Sequence, residues 1–140
     1  MELTKKELSA YLPYDLIGQS PTGNLFKLDI FSNIKGSGIE SRCIEIFIND
    51  EYKPILYPLD YLTKPIWCNG NEVVLMDIIL DEWNDLLVGG DPYTAKDLSF
   101  NPQYWEYWMI ELALEHRLDI FELIPNGLAI PVTDDFNPYK

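Results

Sequence analysis

Prolines at positions 54, 58 and 65 set the tightest limit on how this chain can fold. Proline has no backbone N–H to offer a neighbouring strand, so no long central strand can run through the middle of the sequence. Extended segments there must be short, and Tyr57 to Thr63 reads as a turn or a single helical turn. Just beyond the last of these prolines stands Asn69-Gly70. Both residues accept the positive φ that a two-residue hairpin turn requires. The doublet predicts a hairpin that pairs Pro65–Cys68 with Asn71–Leu75.

The flanking segments are short as well. Thr4 to Tyr11 predicts a helix with Thr4 and Glu7 at capping-box spacing, with Leu8, Tyr11 and Leu12 inward and Pro13 as its stop. Gly18 to Asn24 is turn chemistry. Leu25 to Phe31 alternates, with Phe26, Leu28 and Ile30 on one face, and predicts a half-buried strand. A loop is expected at Asn33 to Gly38. Arg42 to Ile48 alternates again through Ile44, Ile46 and Ile48 and predicts a second strand, antiparallel to the first because the link is short. Met76 to Leu87 predicts a helix whose apolar stripe is Met76, Ile79, Trp83, Leu86 and Leu87, ended by Gly89-Gly90. Asn101 and Pro102 open another, on which Trp105, Trp108, Met109, Leu112 and His116 share a face. Pro125-Asn126-Gly127 is a turn before a last strand at Leu128 to Val132, and residues 133–140 are expected to fray. With no repeat or linker, one globular domain over 1–140 is expected. Strands precede the larger helices, which predicts an α+β fold: a small, mostly antiparallel sheet with two or three helices packed on one face.

Charge narrows the partners. Asp and Glu number 23 against 10 Lys and Arg, for a net charge of −13. Nucleic-acid binding draws most of its affinity from Lys and Arg on phosphates. Here the basic residues are scattered and only Lys5 and Lys6 are adjacent, so direct binding to DNA, RNA or an anionic membrane is not expected. An acidic chain is suited to solubility and to a basic protein partner. No run approaches the roughly 18–20 apolar residues of a membrane span. The charged opening, Met1-Glu2-Leu3-Thr4-Lys5-Lys6-Glu7, predicts no secretory leader. Cys43 and Cys68 lack C-x-x-C spacing and are expected to be free thiols in a reducing cytoplasm, although spacing alone leaves a disulfide open.

No catalytic, cofactor or metal residue can be assigned. The phosphate-binding motifs G-x-x-x-x-G-K and G-x-G-x-x-G are missing. His116 is the only histidine, which excludes a multi-histidine zinc site within one chain. A Cys–His nucleophile would need Cys43 or Cys68 to reach it. Against this, His116 continues an apolar stripe at a helix end, where imidazole can bond the last carbonyls. The neighbours Asp134-Asp135 and Asp81-Glu82 provide no cleft between two carboxyls.

Two clusters stand out instead. Asp77, Asp81 and Asp85 recur every four residues and so share one helix face. Such a run is commonly a solvated surface, and it also suits a hard cation or a basic partner. Tyr104 and Tyr107 lie off the stripe that Trp105 and Trp108 occupy, free to pack on a loop or to anchor a partner.

Several phrases carry a resemblance. They are Leu8-Ser9-Ala10-Tyr11-Leu12-Pro13-Tyr14, the run Lys53-Pro54-Ile55-Leu56-Tyr57-Pro58-Leu59 continuing to Lys64, and His116-Arg117-Leu118-Asp119-Ile120-Phe121-Glu122-Leu123-Ile124 followed by Gly127-Leu128-Ala129-Ile130. In these the chain resembles a family of short, functionally unassigned proteins carried by phages and prophages of gut bacteria. Where similar sequences have a His, one aromatic and an Asp in a row, this chain has Arg117 and Leu118 between His116 and Asp119. The resemblance implies a phage-related setting in a bacterial cell and no particular chemistry. Three readings follow: a non-enzymatic accessory or protein-interaction domain, an acidic nucleic-acid mimic that binds a host DNA-binding protein, and an enzyme with an unfamiliar site.

Overall fold

The computed structural model describes residues 2–32, 39–87 and 89–140, so the loop expected at Asn33 to Gly38 lies outside the described residues. The chain opens with α1 (Lys5–Tyr11), then β1 (Ile17–Gln19), β2 (Leu25–Leu28) and β3 (Ser41–Arg42). It continues through α2 (Ile44–Asn49) and β4 (Lys53–Leu56) to the pair β5 (Pro65–Cys68) and β6 (Asn71–Val74). Helices α3 (Leu75–Leu86) and α4 (Tyr107–Glu115) follow, and β7 (Ile130–Pro131) closes the list. The fold is α+β, with a five-stranded sheet in the order β3-β2-β1-β4-β7 and β5-β6 as a separate hairpin. The hairpin is the predicted one. Asn69 and Gly70 take φ of 53° and 78°, and Pro65 pairs with Val74.

Burial along the strands sets the layers. Successive residues of a strand point to opposite faces. Leu16 and Leu56 enter one core with Leu8, Tyr11 and Phe47, while their neighbours Ile17 and Ile55 enter a second with Leu75, Ile79 and Met109. Helices therefore cover both faces of the sheet, α1 and α2 on one and α3 and α4 on the other, where the sequence pattern had placed them on one face. The prediction missed this because a strand buried on both sides reads as a short apolar run, and periodicity does not tell which neighbours supply each side.

Three expected elements differ in the structure. Residues 44–49 form α2 instead of a strand. Ile44, Phe47 and Ile48 lie at i, i+3 and i+4, which suits one helix face as well as the isoleucine alternation suits a strand. Phe47, which the alternation sets on the face opposite the isoleucines, is the residue of this segment that is fully buried. The first strands also run differently: β2 pairs with β3 in parallel, not antiparallel. The connection over residues 29–40 is about a dozen residues, the length a parallel return needs. The sheet is antiparallel only at its centre, β2-β1-β4, and β4 pairs with β7 in parallel. Finally, the terminal segment is pinned rather than frayed. The Tyr139 hydroxyl accepts from the Ile17 amide at 2.9 Å and donates to the Ile55 carbonyl at 2.6 Å. Asn137 Nδ2 donates to the Tyr57 hydroxyl at 3.1 Å.

Gly18 marks where α2 meets the sheet. A Cβ at that position would stand 2.4 Å from Phe47 Cε2 and 3.0 Å from the Lys53 carbonyl oxygen. Gly18→Ala should destabilise by about 1–3 kcal/mol, the usual range for overpacking, and chemical denaturation checks it. Gly70→Ala meets no neighbour and should cost only its positive-φ strain, about 1–2 kcal/mol.

Two phenols give the fold an alkaline limit. Burial pushes the ionisation of Tyr11 and Tyr139 well above the normal range, and the Asp119 charge adds to this for Tyr11. A raised folded-state value means the native state holds the proton that the unfolded chain releases near pH ~10. This stabilisation is complete below about pH 10 and is lost as pH rises beyond it. Phenolate absorbance should show a last class of tyrosines that appears only with loss of circular dichroism. Titration of all nine tyrosines in one step before unfolding would contradict it.

Candidate functional site

Leu75, Met76 and Ile79 are buried and fix which side of α3 faces the core. Asp77, Asp81 and Asp85 are consequently all exposed, at four-residue steps on the outer side. The same orientation leaves Leu86, expected on the buried stripe, 68% exposed, and Trp83 half-buried against the Tyr93 ring at 5.0 Å. Leu86 sits at the last turn, where the helix runs past the core that Ile79 reaches.

The aromatic cluster is divided. The sequence pattern put Tyr104, Trp105, Tyr107 and Trp108 in one helix begun by Asn101. In the structure Asn101 caps only a 3-10 turn, Pro102–Tyr104, its Oδ1 accepting from the Gln103 amide at 3.1 Å. Trp105 and Glu106 are extended before α4 begins. Trp105 is buried and its indole N–H donates to the Ser99 carbonyl at 2.6 Å, which turns the chain out of helical geometry. Tyr104 (72% exposed) lies on the turn and Tyr107 (78%) on the first residue of α4. The nearby Glu111 carboxylate pushes the ionisation of Tyr107 up.

Helices α3 and α4 pack together and leave a shallow groove of about 320 Å³ between them. Its floor is apolar: Ile78 and Leu86 from α3, Trp108 and Leu112 from α4. Its rim is acidic: Glu82, Glu111 and Glu115. Trp108 is held by an indole N–H bond to Glu106 at 2.8 Å. Asp77, Asp81 and Asp85 stand one residue before Ile78, Glu82 and Leu86, and so about 100° around the helix from the groove. Neither Tyr104 nor Tyr107 lines it.

Charge on this face is unbalanced. From residue 65 to residue 116 the sequence has ten Asp and Glu against one basic residue, Lys96. Neither α3 nor α4 contains a Lys or Arg. The ion pairs among the described residues lie elsewhere: Lys5–Glu45, Lys27–Asp15, Arg42–Glu40 and Lys64–Asp60. Sequence reasoning singled out the aspartates by their spacing but missed the groove, because its two walls are far apart in the chain.

The other candidates for chemistry have structural places. His116 is buried at the end of α4, its Nδ1 bonded to the Leu112 carbonyl at 2.8 Å. Cys43 precedes α2 and Cys68 is buried in β5, both as free thiols. Asp119 is buried with both carboxylate oxygens accepting backbone N–H bonds, from Leu123 and Ile124 at 2.9 Å each. A cavity of about 800 Å³ lies near α2 and the turn after β1. Its one buried polar side chain, Ser20, already bonds Thr22 and Asn24. Among the described residues no group of three or more His, Cys, Asp or Glu could hold a metal ion. No helix among them is long and apolar enough to cross a membrane.

A scan against protein-family models, a search of curated proteins and a search of solved structures each found no match to this chain.

The aspartate column should oppose folding. Like charges at i, i+4 cost about 0.2–0.5 kcal/mol per pair, and Asp85 in the last turn adds an unfavourable interaction with the helix dipole of about 0.3–1 kcal/mol. The double substitution Asp81→Asn, Asp85→Asn should raise the melting temperature at low salt, with the gain shrinking at high salt. A lowered melting temperature would show that these carboxylates have stabilising partners.

Proposed function

We propose that this chain is a non-enzymatic interaction protein that binds a basic protein partner through the α3 and α4 face. The observation that carries this reading is the absence of any Lys or Arg from both helices, with none of their carboxylates in an ion pair among the described residues. Charge that an acidic surface does not neutralise internally attracts a basic partner and speeds its encounter. Tyr107 beside that charge adds an exposed aromatic of the kind that anchors interfaces. The phage or prophage setting, and a place in the cytoplasm of a bacterial host, belong to the same proposal, supported by the sequence phrases named above.

A second reading is favoured by the same imbalance. Carboxylates at regular helical steps can stand where a DNA-binding protein expects phosphates, which would make the chain a nucleic-acid mimic. The two readings differ in salt response, since a purely electrostatic contact is screened within a Debye length of about 8 Å at physiological ionic strength.

Tagged protein and its Asp77→Asn, Asp81→Asn, Asp85→Asn variant would be recovered from phage-infected and uninfected bacterial cells at low and high salt, and bound proteins identified by mass spectrometry. The expected result is a basic partner held by the native chain and depleted at least several-fold by the variant. A partner held equally by both would move the binding site off this face, and no partner under any condition would count against the proposal. Retention at high salt favours the interaction reading, and loss favours the mimic.

A further inference from the structure

We infer that the groove between α3 and α4 is a seat for a basic amphipathic segment of another protein, with an apolar side chain on the floor and Lys or Arg on either side. This rests on the reading that the face binds protein, and goes beyond it by naming the seat and the chemistry of its occupant.

The floor explains why charge alone is insufficient. Leu86 is 68% exposed although it ends a helix whose other apolar residues pack inward. Trp108 lines the same groove from the other helix, is half-buried, and has its indole N–H held by Glu106. At about 320 Å³ the space is at the small end of ligand pockets, roughly 300–1,000 Å³, and it is shallow. An open seat of this size fits an anchoring side chain on a larger body better than an enclosed small molecule. The rim then selects that body. Glu82 from one helix and Glu111 and Glu115 from the other stand on both sides of the floor, so cations are wanted on both sides of the anchor. This is the pattern of an amphipathic segment laid in a groove, with apolar anchors at helical spacing.

The same features oppose a symmetric pairing of this face with that of a second copy. Its corresponding face would bring carboxylates against carboxylates in a molecule of net charge −13, and like-charge juxtaposition at an interface costs several kcal/mol.

The test uses a random library of 16-residue peptides displayed on a surface and selected against the full-length chain. Selected peptides are then measured against Leu86→Ser, which keeps every charge, and against Glu111→Gln with Glu115→Gln, which keeps the floor. The expected outcome is enrichment of peptides with Lys or Arg around an apolar or aromatic residue, with affinity falling about tenfold or more for each variant. Amide resonances of Ile78, Leu86, Trp108 and Leu112 should shift on binding. Enriched peptides that are basic but without an apolar anchor, indifferent to Leu86→Ser, would overturn the proposal in favour of an electrostatic mimic. No enrichment, or shifts confined to other parts of the molecule, would also overturn it. A cellular partner lost with the three-aspartate variant yet unaffected by Leu86→Ser would sink the groove while leaving the acidic face intact as a binding surface. Circular dichroism of both variants guards against misfolding, which their exposed positions make a small risk.

Discussion

The fold is tied together by a buried arginine that has no carboxylate partner among the described residues. Arg117 is buried, its Nη1 donates to the Tyr14 carbonyl at 2.7 Å, and its guanidinium lies 4.1 Å from the centre of the Tyr139 ring. Its Nε has no hydrogen-bond partner among the described residues. A cation in such a place costs free energy unless carbonyl dipoles and an aromatic face substitute for water. Here those substitutes come from the N-terminal and C-terminal segments, so satisfying the arginine closes the two ends of the chain on its centre. Arg117 also has φ of 58°, the left-handed turn that ends α4 and redirects the chain. Its carbonyl accepts from the Tyr57 amide, and the Asp119 amide donates to the Tyr57 carbonyl, both at 2.9 Å. The segment after α4 thereby becomes an added bridge alongside Tyr57 and Leu118.

This accounts for the phrase His116 to Ile124 without any catalysis. His116 closes the helix, Arg117 makes the turn, Leu118 is buried at the bridge, and Asp119 holds the next turn with its two carboxylate oxygens. His116, Arg117 and Asp119 are each engaged by backbone hydrogen bonds or packing. The Tyr57 hydroxyl has a similar role, joining the hairpin at the Trp67 amide to the terminal segment at Asn137.

By contrast, the carboxylates of the α3 and α4 face have no ion-pair partner among the described residues. Its carboxylates repel one another and Leu86 is left open to solvent. Folding alone gains nothing from either feature. Local conflicts that bring folding no gain are expected at functional surfaces.

The sequence by itself determined the features governed by near neighbours. Asn69-Gly70 fixed the hairpin because few residue pairs tolerate its dihedral angles, and the Thr4 amide bonds the Glu7 carboxylate at 3.2 Å at the start of α1 as their spacing required. It determined α3 to within a residue and the exposed column of Asp77, Asp81 and Asp85 on it. Only the tertiary structure decided the rest. The segment from Ile44 to Asn49 is too short for its periodicity to separate helix from strand, and the choice fell to the space that Gly18 leaves for Phe47. The last residues read as a loose end until Tyr139 met Ile17 and Ile55, and Tyr104 left the helix because Trp105 was buried. The groove depends on Ile78 and Leu86 lying beside Trp108 and Leu112, residues that neither local propensity nor spacing connects. A pattern along a chain records which side of each element is apolar; the packing of distant elements decides which of those sides stays open.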